Sequence, residues 1–124
     1  MTEQLIMRRV LWENAGYSSN FGAQTINIHY DVNNYVFWVI ECNLSTSVTN
    51  ETVSFIATGR NGIRLSFPGT GSNSSKGNSR SAKVNETGVE ITFGDNYYNG
   101  TKTNQNLIPR RIIGYFETHY VQYS

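Results

Sequence analysis

The groups in this chain that could do acid–base, nucleophilic or metal chemistry are few: two histidines, one cysteine and nine carboxylates. His29 and His119 lack the spacing of a metal-binding pair and read as satisfied or solvent-facing side chains, so no metal site is expected. Cys42 has no second cysteine to pair with, and its place in the apolar run YVFWVIEC suits a small buried hydrophobe better than a nucleophile. Glycoside hydrolysis would need two carboxylates held across a cleft, whereas Asp31, Glu51, Glu86 and Asp95 fall at turns or strand ends, where water solvates them. The serines form no Gly-x-Ser-x-Gly elbow. Lys76-Gly77 reverses the order that a phosphate-binding loop requires, and Gly69-Thr70-Gly71 lacks the third glycine of a dinucleotide fingerprint. The expectation is a protein that is not an enzyme and carries no cofactor.

One constellation remains that could bind a ligand. Asp95, Asn96, Tyr97, Tyr98 and Asn99 put two adjacent phenol rings in a polar loop, where apolar ring faces and directional hydrogen bonds together suit a sugar or a protein surface. The competing reading is that at least one of these tyrosines folds back to cap the domain.

Composition narrows what could hold that loop. With 124 residues the chain suits one domain, residues 1–124, with a single core. Charged residues are only 15% and the net charge is +1, with the basic residues scattered, so nucleic acid is not an expected partner. No stretch approaches the length that spans a bilayer, and Leu5-Ile6-Met7 is too short for the apolar core of a signal peptide. Five Asn-x-Ser/Thr triplets are what chance gives in so asparagine-rich a chain.

Alternation of apolar and polar residues is the main local signal, and it predicts about eight strands with almost no helix. Ile26, Ile28 and Tyr30 share one face of a half-buried strand over Thr25–Tyr30, and Tyr35–Ile40, apolar on both faces, reads as a central strand. Val53–Thr58 and Ile63–Phe67 read as a hairpin across Gly59-Arg60-Asn61-Gly62, because Asn-Gly tolerates positive φ. Residues 69–81 read as a mobile loop. Ala82 and Val84 pair by pattern with Val89, Ile91 and Phe93 across Asn85–Gly88. Asp95–Asn106 is a second polar loop, and the chain closes with a bent strand over Leu107–Phe116, Gly114 marking the bend, and a last strand from His119 to Tyr123. The fold class is all-β, an antiparallel β-sandwich of jelly-roll type. Trp12 would anchor the start of the domain before the small residues of 16–22 carry the chain across its end.

Four segments, in order, carry a resemblance: LWEN (11–14), FGAQTI (21–26), GVEITFGD (88–95) and IPRRIIG (108–114). Together they look like a module found in structural proteins of tailed bacteriophages, among them tail-fibre, baseplate, receptor-binding and head-fibre proteins. Relatives often carry a Pro-x-Pro-like stretch after LWEN, where this chain has Ala15-Gly16-Tyr17. The resemblance implies a virion component, made in the cytoplasm of an infected bacterium, that forms homo-oligomers, by default trimers, and contacts other virion proteins. As a fibre or receptor-binding module it would touch host cell-surface polysaccharide through loops such as Asp95–Asn106. The alternative is a decoration or adaptor protein that cements capsid or baseplate neighbours without touching the host, with residues 1–10 as a docking arm.

Overall fold

Trp38, Ile40 and Cys42 alternate along one strand with Val39 and Glu41, and this period of two decides which face the chain turns inward. The computed structural model describes residues 2–59, 63–68 and 77–121. They form ten strands in two antiparallel sheets facing each other as a β-sandwich, with one 3-10 turn at Val32–Asn34. The first sheet has the order β1 (Thr2–Glu13), β10 (Asn106–Val121), β3 (Phe37–Ser45), β4 (Thr52–Ala57). The second runs β2 (Gln24–Asn27), β7 (Glu90–Phe93), β6 (Gly77–Val84), β8 (Tyr97–Tyr98), β9 (Thr101–Lys102), with β5 (Ile63–Pro68) also paired to β6.

The core lies between the sheets. Trp38, Ile40, Cys42 and Ile112 come from the first sheet, and Ile26, Leu65, Val84, Ile91 and Phe93 from the second. Trp38 is fully buried, and its Nε1 donates to the Gly59 carbonyl at 2.9 Å, so the ring's one polar atom is not stranded in the interior. Strand β3 is central, flanked by β10 and β4, and Val39 and Ile40 are buried on its opposite faces. A bulge in β1 between Val10 and Trp12 turns Leu11 and Trp12 both toward the core.

The sandwich has the expected class, and several local expectations change. Strands β4 and β5 are not a hairpin: β4 pairs with β3 in one sheet and β5 with β6 in the other. Asn61 and Gly62 themselves lie outside the described residues. A turn signal shows that the chain reverses; it does not show which strand supplies the hydrogen-bonding partner. Strand β2 stops at Asn27, since His29 takes a positive φ of 63° and leaves Tyr30 40% exposed instead of inward. Part of the segment expected to be a loop, Gly77–Ser81, is strand; residues 69–76 lie outside the described residues. The expected two closing strands are one, β10, and its irregularity falls between Pro109 and Arg111. Gly114 is not a bend. A Cβ there would lie 2.5 Å from Cδ1 of the buried Tyr35, so the position is glycine because a ring is laid across its backbone. The hairpin β6/β7 is as expected, with Ala82 opposite Phe93 and Val84 opposite Ile91. Residues 2–10 of the anticipated docking arm, 1–10, lie within the edge strand β1.

Candidate functional site

Strand β6 divides one of its edges between two partners. Its C-terminal half pairs with β7 and its N-terminal half with β8, where Asn78 lies opposite Tyr98 and Ser79 opposite Tyr97. The corner Gly94-Asp95-Asn96 spans the gap, and the Gly94 N–H donates to the Ser81 carbonyl at 2.9 Å. Beyond it, Tyr97–Lys102 is a small hairpin turned by Asn99-Gly100, both at positive φ (51° and 85°), the pair of values a tight hairpin turn demands.

The structure divides the five residues expected to form a site. Asn96 is fully buried: its N–H donates to Asn104 Oδ1, its Nδ2 to the Ser79 carbonyl, and its Oδ1 accepts from the Thr103 hydroxyl. Asp95 Oδ1 accepts from the Ala23 N–H at 2.9 Å and from Asn104 Nδ2 at 3.0 Å. Those two bonds, the backbone one first, hold its carboxyl below the ordinary value of 3.8. Asp95 and Asn96 thus build the corner, while Tyr97, 44% exposed, and Asn99 face outward and Tyr98 is half-buried. A shallow cleft of about 340 Å³ opens beside Tyr97, lined also by Ala23, Ser79, Ser81 and Asp95. One exposed ring beside hydroxyls and a carboxylate can stack on a sugar face and hydrogen-bond its hydroxyls.

Sequence reasoning missed Arg80, which forms the floor of this site. It is 1% exposed and sits on the inward face of β6, in phase with Ala82 and Val84. Its guanidinium donates to three backbone carbonyls: Nε to Leu107 at 3.0 Å, Nη1 to Gly94 at 2.8 Å and Nη2 to Asn106 at 3.2 Å. Its Cζ lies 5.4 Å from the centre of the Phe21 ring. Burial pushes its pKa down to about 10, which leaves it charged at neutral pH. Arg80 therefore ties β6 to the Gly94 corner and to the start of β10. The signal that could have found it is the alternation Arg80, Ala82, Val84, which extends the strand back into a segment of loop-like composition.

A larger cleft of about 410 Å³ is lined by Glu13, Asn14, Tyr17, Arg110 and Arg111. Its cations are already engaged: Arg110 lies 4.4 Å over Tyr17 and donates to the Thr49 carbonyl, and Arg111 bridges Glu41 at 2.8 Å. Among the described residues no group of three or more His, Cys, Asp or Glu gathers as a metal site would need, and no helix is long and apolar enough to cross a membrane. Cys42 is buried, and its thiol is pushed up to about 12.

The segments carrying the family resemblance meet in space. Trp12, Phe21 and Phe93, one from each of the first three, form a triangle of rings with centroids 5.4 to 6.3 Å apart. Asn14 donates from its backbone N–H to the Arg110 carbonyl and from Nδ2 to the Pro109 carbonyl, joining the first segment to the fourth. Asp95 joins the second to the third through Ala23. No protein-family model, no curated protein and no solved structure matches the chain.

Proposed function

We propose that this protein is a structural component of a tailed-phage virion, a fibre or receptor-binding module that contacts host cell-surface polysaccharide through the Tyr97 hairpin. The observation that carries the reading is the convergence of the four resembling segments. Residues far apart in sequence are the ones that pack and hydrogen-bond with each other, as a signature that specifies a scaffold would require, while the hairpin they support offers a ring and polar groups to solvent. Weak contacts of this kind gain strength by repetition on a symmetric particle.

A glycan array of bacterial surface polysaccharides, read with the multimerised protein, tests this. The expected result is binding to one class of polysaccharide that falls up to about tenfold in Tyr97→Ala, from loss of one stacked ring worth about 0.5–1.5 kcal/mol. Equal binding by the variant removes the hairpin from recognition. The alternative of a decoration or adaptor protein draws on the apolar side chains left outward on the first sheet, Ile6 at 58% and Ile56 at 70% exposure, which suit contact with other protein.

A further inference from the structure

Strand β1 is the outermost strand of its sheet, and among the described residues no strand pairs with its other edge. It pairs with β10 from Thr2 opposite Val121 to Glu13 opposite Arg111, but β3 begins only opposite Tyr115. Residues Thr2–Met7 and Phe116–Val121 therefore form a two-stranded ribbon that extends beyond the sheet. Such a ribbon is marginal in water by itself. Here it also presents apolar side chains on both faces, because neighbouring side chains alternate and Leu5, Ile6 and Met7 are 38%, 58% and 44% exposed, with Ile6 opposite Glu117 and Met7 opposite Phe116. Edge strands are normally blunted by lysine, proline or a covering segment, yet the stretch Gln4–Met7 contains no charge and no proline.

We propose that β1 pairs edge to edge, antiparallel, with β1 of a second copy about a two-fold axis through Ile6. An axis perpendicular to the sheet keeps each residue on its own face, so opposed residues must be an even number of positions apart and the axis must pass through a residue pair. Centred on Ile6, the pairing sets Leu5 against Met7 and Ile6 against its own copy, and places Glu3 across from Arg9 and Gln4 across from Arg8. Centred one residue earlier, it would set Met7 against Glu3 in place of Arg9, and one residue later, Leu5 against Arg9. Only the middle register joins apolar to apolar and acid to base. It turns two marginal ribbons into one four-stranded sheet and gives the free backbone edge its hydrogen bonds.

Native mass spectrometry and light scattering at micromolar concentration test the pairing. The unaltered chain is expected to be a dimer through this edge, in place of the trimer that the resemblance implies. Ile6→Asp opposes two carboxylates at the axis and should weaken association about 100-fold or more, while the 58% exposure of Ile6 leaves the core untouched. Ile6→Cys should form a disulfide-linked dimer in oxidised glutathione, which accepts the two electrons; the buried Cys42 does not compete. Leu5→Cys, opposed to Met7 in this register, should link far less. A monomeric wild type, an oligomer indifferent to Ile6→Asp, or linking through Leu5→Cys in preference to Ile6→Cys would overturn the proposal.

Discussion

Replacing Arg80 by methionine keeps most of the buried stem and removes the guanidinium. The carbonyls of Leu107, Gly94 and Asn106 then lose their donor; the buried bond to Leu107 costs about 1–3 kcal/mol and the two part-buried bonds about 0.5–1.5 kcal/mol each, a gross loss of roughly 2–6 kcal/mol. Loss of the contact with Phe21 adds about 1 kcal/mol, and relief from holding a cation out of water offsets several. Leu107 sits at φ 48°, a left-handed conformation that leucine seldom adopts, so releasing its carbonyl also frees a strained residue to move. The net expectation is a loss of about 2 kcal/mol, or about 8 °C in melting temperature at roughly 4 °C per kcal/mol for a chain of this size. Arg80→Lys keeps a positive charge on a single-point donor that cannot span three carbonyls, and should lose nearly as much. The assay is urea denaturation followed by tryptophan fluorescence, with a thermal scan alongside. A methionine variant within about 1 kcal/mol of wild type, or more stable, would refute the view that the guanidinium clamps this end of the sandwich.

Gly114→Ala should cost about 1–3 kcal/mol in the same assay, because the new Cβ meets the Tyr35 ring at 2.5 Å and the ring is buried; a neutral result would mean that the ring shifts freely. Asp95 has a folded pKa below its unfolded one, so its contribution is present above 3.8 and disappears as the pH falls through the depressed folded value. The urea midpoint of wild type should accordingly fall toward that of Asp95→Asn on acidification, and a gap that stays constant with pH would contradict the assignment. Cys42 should resist a thiol reagent at pH 8 in the native state and react fully in guanidinium, since burial pushes its thiol up to about 12. Rapid native labelling would show that the core is open.

Where the sequence was legible, one strand face was buried and its neighbour in sequence was also its neighbour in space. The β6/β7 pairing follows from Ala82, Val84, Ile91 and Phe93 alone, and the central place of β3 from a run apolar on both faces. Asn-Gly illustrates the limit. At residues 61–62 it precedes a strand that joins the other sheet, while at Asn99-Gly100 it turns a true hairpin inside a segment whose polar composition reads as loop. Strand β1 escaped notice because the apolar run Leu5-Ile6-Met7 does not alternate, as fits a ribbon exposed on both faces. Within the site, composition placed Tyr97 in a polar, solvent-facing setting but could not separate it from Asn96, which is buried because Ser79, Thr103 and Asn104 supply its hydrogen bonds from other parts of the chain. Arg80 was hidden for the same reason, since its partners are backbone carbonyls that only the folded topology brings together.

The proposed function makes this chain a scaffold that works by surface contact within a virus particle. A cryo-electron-microscopy reconstruction of a tailed phage whose genome encodes the chain tests that most directly. The predicted result is density for the ten-stranded sandwich at a fibre, baseplate or receptor-binding position, with the Tyr97 hairpin turned away from the particle. Purified particles that lack the protein altogether would contradict it.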